Sequence, residues 1–209
     1  MNEPLPIRIL CVDDHPLFRE GIATVIAHQN DMELVATAST AREAIEQFQK
    51  TQPDITSMDL RLPDLSGISA MSAILTASPD ARVIMLTTSE GDVEIRRALA
   101  AGACGYMLKS TPLEELVEVI RKVNSGRKHV PTEVMQNLAE HFSGDALTER
   151  EVEVLNRIAE GDRNRDIGER LMISEETVKS HIRHIMDKLG AKDRTQAVAI
   201  GIRRGIIHM

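Results

Sequence analysis

Asp13, Asp14, Asp59, Thr87 and Lys109 together carry the groups that phosphoryl chemistry needs. Clustered carboxylates repel and raise each other's pKa unless a cation joins them. Mg²⁺ suits that role, since it prefers oxygen ligands and often takes one or two carboxylates with waters and phosphate oxygens. A carboxylate can accept a phosphoryl group. The spread negative charge that results needs donors, and the Thr87 hydroxyl and Lys109 ammonium supply them. Taken singly, each residue has a plainer reading: an Asp after a strand caps a turn, and a lysine is a solvated charge. Their joint placement decides between the two.

That placement follows from the elements around them. Apolar runs at Ile7–Val12, Leu34–Ala38, Ile55–Met58, Val83–Leu86 and Gly105–Leu108 read as strands. Helical spacing appears between them: Phe18, Ile22, Val25 and Ile26, then Ala41–Gln49, Ile68–Thr76 and Val93–Ala101, with a last helix from Pro112. Five serial βα repeats imply a five-stranded parallel, doubly wound sheet with helices on both faces. Ligands bind such sheets at the C-terminal strand edge. Asp13 and Asp14 follow the first strand, Asp59 the third, Thr87 the fourth and Lys109 the fifth. Neighbouring strands lie about 4.8 Å apart, so these side chains can converge. Polar Thr56 and Ser57 interrupt the third strand, and each needs a partner if buried.

The segments VDDHP (12–16), MDLRLPDLSG (58–67), LTTS (86–89) and GACGYMLKS (102–110) resemble the receiver domain of two-component response regulators over about residues 7–123. The resemblance implies that Asp59 takes a phosphoryl group from a sensor histidine kinase. It implies Mg²⁺ held by Asp14, Asp59 and the backbone carbonyl of Arg61, with Asp13 acting through water. Thr87 and Tyr106 would form the switch pair, Lys109 would contact the phosphate, and Pro63 and Gly67 would shape the loop beyond Asp59.

The charge distribution points to a second activity. The net charge of −7 resides entirely in residues 1–122, while residues 145–209 balance 12 basic with 12 acidic side chains. Within the latter, Thr177–Arg194 holds five bases against two acids, the local excess a DNA footprint requires. Aromatic residues are 2% of the chain, so the stacking platforms typical of single-strand and RNA binders are nearly missing, and a duplex is the better partner. Beyond Leu147 only helical patterns occur, near 148–160, 163–171, 174–189 and 193–204. Val178, Ile182, Ile185 and Leu189 form an apolar stripe, with Lys179, Ser180 and Arg183 beside it.

The stretch LTEREVEVL (147–155) with RNRDIGERLMISEETVKSHIRHIMDKLGAKDRTQAV (163–198) resembles the NarL/FixJ, or LuxR-type, helix-turn-helix. By that resemblance Lys179, Ser180 and Arg183 face base edges, while Thr177, His181, Lys188, Arg194 and Asn164 lie nearer phosphates. Gly168 stands where the family more often has Ala. This costs a helix about 1 kcal/mol unless close packing needs it.

The expected organisation is α/β then all-α: a flavodoxin-like receiver domain over 1–124, a linker with one helix over 125–144, and a four-helix DNA-binding domain over 145–209. The expected function is a transcription factor whose phosphorylation at Asp59 promotes homodimerisation or release of the DNA-binding domain onto promoter duplex, with RNA polymerase a further partner. A receiver controlled without phosphorylation is the alternative. An aspartyl-phosphate phosphatase is disfavoured because its second Asp would fall at Arg61, so no enzyme acting on an outside substrate is expected. Cys11 and Cys104 are expected as buried free thiols of a cytoplasmic protein. The acidic N-terminus and the lack of a long apolar run point away from secretion and the membrane.

Overall fold

A computed structural model describes residues 5–88, 91–131 and 147–207. Backbone contacts divide them into two compact units, one of residues 5–88 and 95–131, the other of 147–207 with the short stretch 91–94. The helix expected toward Phe142 lies outside the described residues.

Strand and helix alternate from residue 7 to residue 124: β1 Ile7–Val12, α1 Pro16–Ala27, β2 Met32–Ala38, α2 Ala41–Thr51, β3 Ile55–Asp59, α3 Gly67–Ala77, β4 Val83–Thr87, α4 Asp92–Ala100, β5 Gly105–Leu108 and α5 Leu113–Asn124. The five strands are parallel in the order β2-β1-β3-β4-β5. Strand order reverses at β1, which makes the β1/β3 crevice the switch point where doubly wound sheets bind ligands. Both faces of the sheet are covered, so its strands are apolar nearly throughout. Ile9, Cys11, Ile55, Ile84, Leu86 and Met107 pack with residues of α1 and α5. Residues of the other parity, Leu10, Val12, Met58, Met85 and Tyr106, are also fully buried. Each fully buried Ile or Leu is worth about 1.5–3 kcal/mol over its exposed state.

One sequence expectation needs revision. Cys11 is buried, but Cys104 is only half-buried because it precedes β5 at the sheet's rim. After α5 the chain returns along β5: the Tyr106 N–H donates to the His129 carbonyl at 2.9 Å, and the His129 N–H to that of Cys104 at 3.0 Å.

The second unit contains α6 Glu149–Ala159, α7 Asn164–Leu171, α8 Glu175–Leu189 and α9 Arg194–Arg203. Local chemistry sets each start. Thr148, Ser174 and Asp193 cap α6, α8 and α9 by accepting from the N–H three residues on. Gly190, at φ 62°, ends α8 in the left-handed region. Val154, Leu155, Ile167, Val178, Ile185 and Ala197 close a single core. The stripe read from the sequence is present, with Ile182 packed at its margin. A Cβ on Gly168 would lie 2.8 Å from the Ile173 carbonyl oxygen, so close approach of the turn requires this glycine.

Candidate acidic centre and nucleic-acid interface

Strand register assembles the acidic centre. Val12 pairs with Met58 across β1 and β3, so Asp13 comes level with Asp59 one step further on. The Lys109 N–H donates to the Thr87 carbonyl at 2.7 Å, which brings the ends of β4 and β5 together. Asp13, Asp59 and Thr87 are buried, while Asp14 is exposed. Lys109 Nζ lies 2.6 Å from Asp59 Oδ2 and 2.7 Å from Asp13 Oδ2, bridging the two buried carboxylates. The Arg61 N–H donates to Asp59 Oδ1 at 3.1 Å, so both acceptor oxygens are oriented. A Cβ on Gly67 would fall 2.0 Å from the Asp59 carbonyl oxygen, which explains why the loop returns past Asp59 on a glycine.

The electrostatics follow from this geometry. Burial pushes the Asp59 carboxyl above its ordinary value, opposed by the Lys109 bond and the Arg61 N–H and reinforced by the Asp13 charge. For Lys109, burial acts to lower the value, but hydrogen bonds to Asp13 and Asp59 outweigh it and hold the ammonium charged. Its Nζ also sits 4.9 Å from the centroid of the Phe18 ring, a cation–π contact. Asp13, Asp14, His15 and Asp59 bring ligand atoms within 4.8 Å of one another. Three carboxylates with one imidazole form a predominantly hard-oxygen donor set, which fits a divalent cation of the Mg²⁺ type.

Sequence reasoning assigned no role to His15 and treated Phe18 only as a core residue. The contiguity of Asp13, Asp14 and His15 was a readable signal for the first. Nothing local pairs Phe18 with Lys109, because strand order alone brings them together. Tyr106 is fully buried. Thr87 and Tyr106 do not share the face occupied by Asp59 and Lys109; by alternation their side chains leave the sheet on the other side.

In the second unit α7 and α8 form a helix-turn-helix with Met172 in the left-handed region between them. Thr177, Lys179 and Arg183 are exposed, and Ser180 and His181 are half-buried beside them. Lys179 Nζ lies 3.3 Å from Glu175 Oε1 and 3.7 Å from Glu176 Oε2, a surface pairing that a phosphate or base edge can displace. Three residues expected near phosphates also have partners within the unit. Lys188 Nζ is 2.7 Å from Glu151 Oε2. Arg194 donates to the Asp162 carbonyl at 2.9 Å and to Asn164 Oδ1 at 3.5 Å. Glu151 itself escaped the sequence reading, although Thr148-x-x-Glu151 is a capping-box pattern.

A doubly wound sheet with this acidic edge, followed by a helix-turn-helix unit, defines a signalling domain joined to a DNA-binding one. The chain matches the response regulator receiver domain over residues 9–121, and the luxR family of bacterial regulatory proteins over 145–200. It belongs to the two-component response regulators that join a receiver domain to a LuxR-type DNA-binding domain, and is a transcriptional regulator. It is 39% identical to the uncharacterized transcriptional regulatory protein YxjL of Bacillus subtilis, covering 97% of this chain and 98% of that one. It is 36% identical to response regulator protein VraR of Staphylococcus aureus, covering 98% and 100%. The solved response regulator ChrA of a heme-sensing two-component system is 33% identical over 97% of this chain and 99% of its own, with a TM-score of 0.58. No helix of the described residues is long and apolar enough to cross a membrane.

Proposed function

We propose that Asp59 accepts a phosphoryl group from a sensor histidine kinase and that this controls binding of promoter duplex by the helix-turn-helix. An Asp59 carboxylate oxygen bonds to phosphorus as the P–N bond of a phosphohistidine breaks and the imidazole leaves. The observation that carries this reading is the bridging of Asp13 and Asp59 by Lys109, at 2.7 and 2.6 Å. Once Asp59 carries the phosphoryl group as an acyl phosphate, the ammonium is free to meet the phosphoryl oxygens. Asp13, Asp14 and Asp59, with the Arg61 backbone carbonyl, would hold Mg²⁺, which neutralises charge on the transferring group. No outside substrate is turned over, so the protein is not an enzyme in the ordinary sense.

Phosphorylation then biases a two-state element. Thr87 moves toward the phosphate and Tyr106 turns inward behind it. The altered surface favours a homodimer or release of the DNA-binding domain, with two such domains reading two half-sites. Lys179, Ser180 and Arg183 contact base edges, and Thr177 and His181 lie by the backbone. Solution mass and promoter binding, measured with and without beryllofluoride and Mg²⁺, test the reading. Wild type should become dimeric and bind DNA more tightly, and Asp59→Asn should do neither. An Asp59→Asn protein that responds as wild type does would overturn it.

A further inference from the structure

At the N-terminal edge of the sheet, the end away from Asp59, lies a cleft of roughly 810 Å³. That volume falls in the range of small-molecule sites, about 300–1,000 Å³. Arg82, just before β4, and Arg127 and Lys128, just after α5, line it over an apolar floor that includes Leu75. Asp80 is the single acidic residue of the lining. Arg82 bonds only to the neutral Asn124 Oδ1, at 3.3 Å, and Arg127 to Ser125 Oγ, at 3.2 Å. Among the described residues none of the three cations has a carboxylate partner, unlike Arg121 and Lys109 of the same unit. Residues 1–122 carry a net charge of −7, so unpaired cations gathered on one concave surface stand out against their surroundings. Such an arrangement focuses potential and concentrates anions.

We propose that this cleft is a second ligand site, remote from Asp59, for a small phosphate-bearing anion. Its position gives occupancy a structural consequence. Arg127 and Lys128 lead directly into His129, which exchanges backbone hydrogen bonds with Cys104 and Tyr106 at 3.0 and 2.9 Å. A ligand gripping the two cations pins this segment along β5, the strand that holds Tyr106 and delivers Lys109 to the acidic centre.

Cys104 lines the cleft and is half-buried, which makes it a reporter of occupancy. Cys11 is the internal control: it is fully buried, and burial pushes its thiol up to about 12, so it should not react. The experiment follows iodoacetamide alkylation of each thiol by mass spectrometry, on the full chain in Mg²⁺-free buffer, with and without inorganic pyrophosphate. Pyrophosphate should slow alkylation of Cys104 at least fivefold and saturably, while chloride at equal ionic strength should not. The double variant Arg127→Ala/Lys128→Ala, at two exposed positions, should lose this protection and keep the wild-type melting temperature. Protection that is absent, matched by chloride or retained in the variant overturns the proposal. Protection by a short duplex but not by pyrophosphate would assign the cations to nucleic-acid backbone instead, and also overturns it. A lowered melting temperature without protection would reduce Arg127 and Lys128 to partners of the α5 C-terminal dipole.

Discussion

Thr56 is fully buried in β3 and its hydroxyl has no hydrogen-bond partner among the described residues, while its neighbour Ser57 reaches the Leu10 carbonyl at 3.5 Å. A buried unsatisfied hydroxyl costs about 1–3 kcal/mol. Replacing it by a methyl group of nearly the same shape should recover part of that cost. Thr56→Val is therefore expected to raise the unfolding free energy by about 1 kcal/mol in a urea titration, with the midpoint moving and the slope unchanged. An unchanged or lower stability would mean the hydroxyl is worth more than a methyl group there. The acidic centre shows the opposite treatment of buried polarity. Asp13 and Asp59 share one ammonium, whose Nζ also lies over the Phe18 ring. Each buried carboxylate thus has a charged partner where isolation would be costly, and one negative charge remains for a cation. Which residues form this centre was legible in the sequence, because each stands directly after a strand. How they pair was not, since contacts between residues 50 positions apart depend on strand order.

Among the elements, α6 and α8 share a core and are also tied by one carboxylate oxygen. Glu151 Oε2 accepts from the Thr148 N–H at 2.7 Å, the Thr148 hydroxyl at 3.0 Å and Lys188 Nζ at 2.7 Å. Burial acts to raise the Glu151 pKa, but these donors outweigh it and hold the carboxyl below the ordinary value of 4.5. A carboxyl whose folded pKa is depressed contributes stability that is fully present above its unfolded value and lost as pH falls through the folded one. The DNA-binding unit should therefore lose stability as pH drops below about 4.5. Glu151→Gln should lower stability by about 1–2 kcal/mol at pH 7 and flatten this dependence. Denaturant melts at pH 7, 5 and 4 would show it, and parallel curves for the two proteins would refute the assignment. The capping pattern was readable from four residues. The Lys188 partnership was not, because it needs the crossing of α6 and α8.

For the whole molecule, charge separates the two activities. The receiver part carries the −7, and DNA affinity must come from a neutral region with a local basic excess. Each phosphate neutralised steepens the fall of log K with log salt by about 0.9. Lys188 pairs with Glu151, and we propose that this pairing keeps it out of that count. Lys188→Met should then leave the salt slope of promoter binding unchanged while lowering the melting temperature. Arg183→Ala should cost about 1–3 kcal/mol and relax sequence discrimination at the bases it reads. Fluorescence anisotropy on specific and scrambled duplexes between 50 and 200 mM salt would separate the two. A slope reduced by about 1 in Lys188→Met would return that lysine to the DNA backbone.

By itself the sequence determined the two architectures, the strand-end carboxylates and the recognition helix. These features depend on short-range pattern: alternation of apolar runs with helical periodicity, and the residue types that follow each strand. What only the tertiary structure decided were matters of long-range geometry. Strand order set which carboxylates share Lys109. Helix crossing gave Lys188, Arg194 and Asn164 partners within the fold, and close approach explained Gly67 and Gly168. The half-buried thiol and unpaired cations at the far edge of the sheet likewise gave no local signal. A side chain's neighbours come from every element the fold packs around it, whereas a linear pattern reports only the element it lies on.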